Sequence, residues 1–494
     1  MAKHAFLVLF SLTLTLLCAL SFGREFEKGS SFRTLDVSAY LRSVHPAVAS
    51  DAVLKAKKKT DDISSDDGPV LDLMHRDAPS SPFLPLNSSW RDLFAARMER
   101  DSARVKAISS RVRFMQGGYE LSDLKPVTTS QKASSVEDLQ APLASGLNEG
   151  SGEYFVSVGI GTPPRTFNLI GDTGSGESWL QCVPCTNCYN QSVPLFDPTS
   201  SSSFQQLSCS SPVCSQLQTR SCKGNRCVYQ IQYGDRSFSV GNFATETLYF
   251  GSNSVQNVAI GCGHNNQGLF VGAAGVLGLG GGPLSLPTQV AQLYGNVFSY
   301  CLPNRLSGQS SPLIFGSGAV PASSVFTPLL TSPVIDTFYY VGLSGMRVGG
   351  VPISVSSSVF QLDANGNGGV ILDSGTAVTR LVTSAYNAMR DQFRANTRSL
   401  PAAASVLIFD TCYDLSGQHS VNLPAIDLVL AGGAVVPLPA ANVLVQVDDA
   451  GTFCLAFSPS QDEFSIIGNI QQQSLRISFD KQQARVGFAS DQCT

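Results

Sequence analysis

Asp172-Thr173-Gly174-Ser175 and, about two hundred residues on, Asp373-Ser374-Gly375-Thr376 are the stretches that decide how this chain folds. Each is an acid, a hydroxyl, a glycine and a second hydroxyl, and each follows an apolar run, residues 167–170 and 370–372. A carboxylate at the end of a buried strand is costly unless donors hold it. The glycine permits a tight turn, and the flanking hydroxyls can donate to the acid. Two such loops facing each other place two carboxylates around one shared proton and one water. One acid can then serve as base while the other serves as acid at a single pH.

The repeat extends beyond the acids. Val276-Leu277-Gly278-Leu279-Gly280 follows the first loop, and Ile466-Ile467-Gly468-Asn469 follows the second. Acid loop, then apolar-apolar-glycine, thus occurs once per half. From residue 152 onward, short apolar runs alternate with Gly, Pro, Asn and Ser, beginning with the alternating stretch 154–160. Residues 287–294 and 384–398 are the best helical candidates. The pattern predicts a mostly-β body of two similar lobes, 141–330 and 331–494, with one acid each and a cleft between them.

Residues 1–23 read as a secretory signal: Lys3 and His4 precede an apolar run to Leu20, with small Ser21 and Gly23 after it. The run barely reaches spanning length, and the C-terminal residues carry no lipid-anchor or retrieval signal. The expectation is a monomer without a stable membrane anchor, outside the cell (the apoplast) or in an ER or vacuolar lumen. Of 13 cysteines, Cys18 leaves with the signal and the other twelve lie between Cys182 and Cys493, an even set that predicts six disulfides. Cys182, Cys185 and Cys188 have no matching His cluster, so no metal is expected. Asn87-Ser88-Ser89 and Asn190-Gln191-Ser192 have the form of glycan acceptors.

Residues 24–140 differ from the body. They contain 18 Lys+Arg against 17 Asp+Glu and no cysteine, whereas residues 141–494 contain 14 against 20. A body so poor in basic groups excludes nucleic-acid binding. Residues 55–67, lysines followed by aspartates, read as a solvated linker. Residues 70–75 read as a strand, and Ser88 or Ser89 as the cap of a helix from Trp90 to about Met115, with Arg97, Arg100 and Arg104 near one face. Lying between a signal and a cysteine-stapled body, this region reads as a removable prosegment rather than an independent domain. Its arginines are expected to pair with carboxylates of the body and so inhibit it from within.

With these motifs the chain resembles the pepsin-type aspartic proteases. Among them it is similar to the plant atypical, nepenthesin-like branch and to its guard-cell subgroup. The resemblance rests on the acid loops, on Gly150-Ser151-Gly152-Glu153-Tyr154-Phe155, on Gly261-Cys262-Gly263-His264, and on the stretch 336–345. It implies a bilobal pepsin-like fold and a secreted aspartic endopeptidase, made as a zymogen and acting on peptides or proteins at acidic pH without a cofactor. Asp172 and Asp373 would be the catalytic pair, with Ser175 and Thr376 on their outer oxygens and Thr173 and Ser374 bracing the loops through Gly174 and Gly375. Tyr233, in Tyr233-Gly234-Asp235, would close over substrate as a flap, packed against Trp179. The implied disulfides are Cys182–Cys185, Cys188–Cys262, Cys209–Cys227, Cys214–Cys222, Cys301–Cys493 and Cys412–Cys454.

Three positions depart from the family pattern. Gly171 replaces an apolar residue before the first acid, which predicts a small packing defect beneath the loop. Gly176 replaces an acid. Arg236 replaces a flap-tip glycine, and either points to solvent or favours acidic substrate side chains. Other chemistries fit poorly. No Gly-x-Ser-x-Gly elbow accompanies His264 and His419, the two histidines of the body, and His264 reads as part of a glycine-rich turn. Asp363-Ala364-Asn365-Gly366-Asn367-Gly368 lacks the glutamate and flanking helices of a calcium loop and reads as a hairpin turn. The competing reading is a secreted binding or inhibitor protein that kept this fold and lost catalysis; both acid motifs are intact here.

Overall fold

A computed structural model describes residues 31–43, 69–85, 88–117, 153–232, 237–268, 270, 272–304, 306–490 and 493. The signal stretch, Asn87, the region around residue 140, and Tyr233, Gly234, Asp235 and Arg236 lie outside the described residues. The leader contributes β1 (Phe32–Asp36), α1 (Val37–Ser43), β2 (Val70–His75) and α2 (Trp90–Gln116), and the body begins with β3 (Tyr154–Ile160), β4 (Arg165–Asp172) and β5 (Trp179–Gln181).

One antiparallel sheet joins the two halves. Its order is β3, β2, Ser311–Phe315, Val297–Cys301, Leu475–Asp480, Arg485–Ser490 and Val325–Leu330. Under it Phe298 stacks on Phe479 at 4.7 Å, and Tyr339 packs on the same ring. Such aromatic pairs add to the stabilisation from burial.

The sequence repeat has a structural cause. In the first lobe β4 runs parallel to Gly275–Gly278, with Asp172 opposite Gly278. In the second, Val370–Leu372 runs parallel to Ser465–Ile467, with Leu372 opposite Ile467. The apolar-apolar-glycine run is therefore the strand beside the acid strand, buried on both faces and so continuously apolar. The next strands repeat as well. β5 is antiparallel to the first partner at Trp179↔Val276, and Thr379–Val382 to the second at Arg380↔Ile466. Trp179 and Arg380 each stand seven residues beyond their acid. They are equivalent positions of the two lobes.

In the leader, the Ser89 hydroxyl accepts from the Asp92 amide at 3.1 Å and donates to the Asp92 carboxylate at 2.7 Å, a reciprocal cap that starts α2. α2 buries apolar and charged side chains around most of its circumference because it lies between two walls. Trp90, Phe94 and Met98 enter one apolar cluster of the second lobe with Phe409 and Ile470, while Ile108 and Val112 enter another with Ile335, Phe338 and Phe464. β1 adds antiparallel to Ser420–Pro424, with Leu35 and Val37 buried against the second lobe.

Several expectations need correction. Residues 287–294 form two one-turn helices, Leu286–Gln289 and Ala291–Tyr294, separated where Val290 leaves helical geometry (φ −93°, ψ 4°). The other candidate is Thr383–Asn396, ended by Thr397, whose hydroxyl donates back to the Phe393 carbonyl at 2.9 Å. His264 lies not in a turn but in the strand Asn253–Gln267, at a register shift, where its Nδ1 faces the Pro184 carbonyl at 2.9 Å.

The disulfides are Cys182–Cys262, Cys185–Cys188, Cys209–Cys222, Cys214–Cys227, Cys301–Cys493 and Cys412–Cys454. The last two coincide with the implied pairs; Cys182–Cys185, Cys188–Cys262, Cys209–Cys227 and Cys214–Cys222 do not form. β5 lies parallel to Gly261-Cys262-Gly263, which brings Cys182 beside Cys262 with Cα atoms 5.4 Å apart. Cys185 and Cys188 are left to close the short loop beyond it. Cys214 and Cys227 are both buried, so they meet in the core, while Cys209 and Cys222 pair nearer the solvent.

Cys301–Cys493 spans 192 residues. Chain-entropy arguments assign such a loop about 5 kcal/mol, less any native strain. Cys301→Ser with Cys493→Ser is expected to lower the unfolding free energy by several kcal/mol, read from guanidinium unfolding with the slope fitted for each protein, because the released chain is less compact when unfolded.

Candidate active site

Asp172 ends β4, Asp373 immediately follows the equivalent strand Val370–Leu372, and both are completely buried. Each loop folds back on its own acid. The Gly174 amide donates to Asp172 Oδ1 at 3.0 Å and the Ser175 hydroxyl to Oδ2. In the other half the Gly375 amide donates to Asp373 Oδ1 at 3.2 Å and Thr376 Oγ1 to Oδ2 at 2.6 Å. Crosswise bonds fasten the loops together: the Ser374 amide donates to Thr173 Oγ1 at 2.9 Å and the Thr173 amide to Ser374 Oγ at 3.2 Å. Further donors support the backbone, with Gln472 Nε2 on the Asp373 carbonyl at 3.1 Å and Asn469 Nδ2 on the Ser374 carbonyl at 2.9 Å.

Between the acids sits a leader side chain. Arg104 Nε and Nη2 donate to Asp373 at 3.0 and 2.7 Å, and Nη1 and Nη2 donate to Asp172 at 3.0 and 2.8 Å. The planar fork of arginine suits two carboxylates at once. A Cβ on Gly174 would lie 2.1 Å from Arg104 Nη2, and one on Gly375 2.8 Å from its Cζ. Glycine at both loops is what lets the guanidinium seat. Burial pushes the Asp172 carboxyl up, Arg104 pulls it back, and neighbouring Asp373 pushes it up again, so it stays above the usual range.

The other buried charged side chains of α2 each meet a partner. Arg97 donates to Asn469 Oδ1 at 2.9 Å, and with Arg100 it binds Glu153 at 2.7 and 3.1 Å. Asp101 accepts from the Ala377 and Val378 amides at 2.7 and 3.1 Å and pairs with Arg380. Arg111 donates to Thr337 Oγ1 at 2.6 Å and lies over the Phe338 ring. Among the three arginines singled out from sequence, Arg104 alone reaches the acids. Glu153, Arg380 and Asn469 were not singled out; comparing the positions seven residues beyond each acid would have drawn attention to Arg380.

Trp179 is fully buried, edge-on to Phe270 at 5.0 Å, whereas the flap residues it was expected to meet lie outside the described residues. Asn190 is exposed in a loop. The packing defect expected at Gly171 is absent: a Cβ there would lie 2.8 Å from Val156 Cγ2, so Val156 already occupies that space. At Gly176 the nearest heavy atoms to such a carbon are 3.8 Å away, on Thr337, so a larger residue has room. Among the described residues no three His, Cys, Asp or Glu cluster as metal ligands.

Two family models match the chain, described as xylanase inhibitor N-terminal over residues 154–317 and xylanase inhibitor C-terminal over 338–490. Aspartyl protease family protein 2 of Arabidopsis thaliana is 48% identical, over 86% of this chain and 85% of its own. Protein ASPARTIC PROTEASE IN GUARD CELL 2 of the same plant is 45% identical, over 86% and 87%. Aspartic proteinase nepenthesin-1 of Nepenthes gracilis is 42% identical, over 70% and 79%. Solved structures of edgp and of conglutin gamma, a basic 7S globulin from lupine seeds, superpose with TM-scores of 0.57 and 0.55 at 22% identity, over 70% of this chain and 93% of theirs.

Gly171→Val is expected to cost about 1–3 kcal/mol through overpacking against Val156, rather than to fill a void and stabilise. Urea unfolding of the two proteins decides the sign.

Proposed function

Because the chain belongs to the pepsin-type aspartic proteases of plants, we propose that Asp172 and Asp373 are its catalytic pair and that the leader holds them latent. The protein is an aspartic-type endopeptidase with a bilobal pepsin-like fold. The observation that carries the finer reading is the two-acid site: both carboxylates are buried, each is held by its own loop, and one cation spans them. With Arg104 withdrawn, a water would take its place between the acids. The ionised acid removes a proton from that water, which attacks the peptide carbonyl; the protonated acid donates a hydrogen bond to the carbonyl oxygen and stabilises its developing charge. Ser175 and Thr376 hold the outer oxygens so that the inner ones face the reaction.

In this reading residues 24 to about 140 are an inhibitory prosegment, and peptides or proteins reach the cleft after it leaves. Secretion is inferred from residues 1–23, which lie outside the described residues, together with the six disulfides. Among the described residues no helix is long and apolar enough to cross a membrane. A second reading, a binding or inhibitor protein on this fold, draws on the xylanase-inhibitor description of the family models and on the seed-globulin neighbour. It leaves the two intact acid loops without a role.

Asp172→Asn and Asp373→Asn should each reduce acid-stage peptide cleavage by roughly 10⁴-fold or more, since neither acid can be spared from a shared-proton mechanism. Near-normal turnover by either folded variant would remove the pair from the mechanism.

Latency should depend on pH through Glu153. Burial pushes its carboxyl up, but Arg97 and Arg100, with His75 and Arg76, outweigh burial and hold it at about 2. A depressed carboxyl stabilises the docked leader in full above its ordinary value of 4.5, and that contribution is lost as pH falls toward about 2. Glu153→Gln leaves two buried arginines without their anion, a strongly destabilising change. The activation midpoint should therefore lie higher in this variant, measured with a quenched peptide after preincubation across pH. An unchanged midpoint would assign acid release to another contact.

A further inference from the structure

The acid strand, its parallel partner and the strand that follows correspond between the two lobes, but at one equivalent pair of positions the chemistry differs. The first lobe has Trp179, buried and packed on Phe270. The second has Arg380, 5% exposed, in the strand Thr379–Val382. A guanidinium taken out of water calls for an anion. In this structure the anion is Asp101 of the leader. Its Oδ2 pairs with Arg380 Nη2, and its Oδ1 takes the amides of Ala377 and Val378 at 2.7 and 3.1 Å. Nη1 of the same guanidinium is buried and has no hydrogen-bond partner among the described residues, so Arg380 can donate one further bond to an occupant.

This site adjoins the reacting centre. Ala377 follows Thr376, whose hydroxyl holds Asp373. Asp101 precedes Arg104 by three residues on one helix, about 4.5 Å along its axis. An extended peptide covers that distance in one or two residues.

We propose that Ala377, Val378 and Arg380 form a carboxylate-binding subsite of the cleft, filled by Asp101 in the latent protein and by an aspartate or glutamate of the substrate in the active one. The leader thus occupies a recognition site as well as the catalytic pair. The pocket is built from the end of the Asp373 loop and from the strand Thr379–Val382 that follows it, both parts of the body, so it persists when the leader departs. An uncharged substrate group there would leave Arg380 without its anion. Discrimination against the amide isostere follows from that cost. The inference rests on the protease reading above, and the test has an arm that does not.

The acid-processed protein is given peptides that are identical except for Asp or Asn, scanned over three residues on either side of the scissile bond. At one position the Asp peptide should have a kcat/KM at least tenfold above its Asn partner, and Arg380→Gln should bring that ratio close to one. No position above twofold, or a ratio that persists in folded Arg380→Gln, would overturn the subsite. In the second arm, calorimetry compares binding of a synthetic peptide of residues 90–117 with that of its Asp101→Asn version to the processed protein. At least tenfold tighter binding of the unaltered peptide supports the pocket even if the processed protein cleaves nothing, and that lack of cleavage would by itself sink the hydrolase reading alone. Equal binding sinks the pocket whether or not the protein cleaves.

Discussion

A single guanidinium between two buried carboxylates is the contact that organises this molecule. One positive charge faces two acids out of reach of water, and ions so placed are tolerated only when their donors and acceptors are fully engaged. The four Arg104 bonds and the loop donors on each outer oxygen meet that condition. Everything nearby serves the same requirement. The loops carry glycines where the cation approaches, the crosswise Thr173 and Ser374 bonds fix the spacing of the acids, and Gln472 and Asn469 hold the carbonyls behind them.

Buried charges in the middle of α2 follow the same rule of pairing. Arg97 and Arg100 meet Glu153, and Asp101 meets Arg380 and two amides. Apolar anchors at both ends, Trp90 to Met98 and Ile108 to Val112, supply burial energy that is indifferent to pH. The middle of the helix supplies the ionic contacts. Under the latency proposed above, hydrophobic grip at the ends and titratable pairing in the centre would make a cover that acid loosens from within.

The acid loops, the strand at 70–75, the start of α2 and the repeat were legible in the sequence because each depends on a local pattern: a turn, an alternation, a cap, a spacing. What was not legible depends on neighbours distant in the chain. Four cysteines between residues 209 and 227 can pair in several ways, and only the burial of Cys214 and Cys227 selects one. Gly171 reads as a gap until Val156 is seen to fill it. Arg97, Arg100 and Arg104 share a helix face, yet which of them meets the acids is set by how far the helix is threaded through the cleft. Arg380 drew no reading from sequence, although its spacing from Asp373 equals that of Trp179 from Asp172; that its charge meets Asp101 depends on where the helix lies.

The placement of β2 has a consequence for how the protein acquires its shape. This strand is an interior member of the sheet that joins the lobes, with β3 on one side and Ser311–Phe315 on the other. Its second neighbour lies about 240 residues away in the chain, and pairings between such distant segments form slowly. Synthesis delivers β2 early, so the strand is waiting when its late partner emerges. A body made without the leader would have to close the same sheet around a missing strand, with two rows of unpaired amides and carbonyls at the gap. Under the maturation proposed above, the mature shape would then be inherited rather than found anew. Its persistence would be governed by the barrier to unfolding instead of by equilibrium.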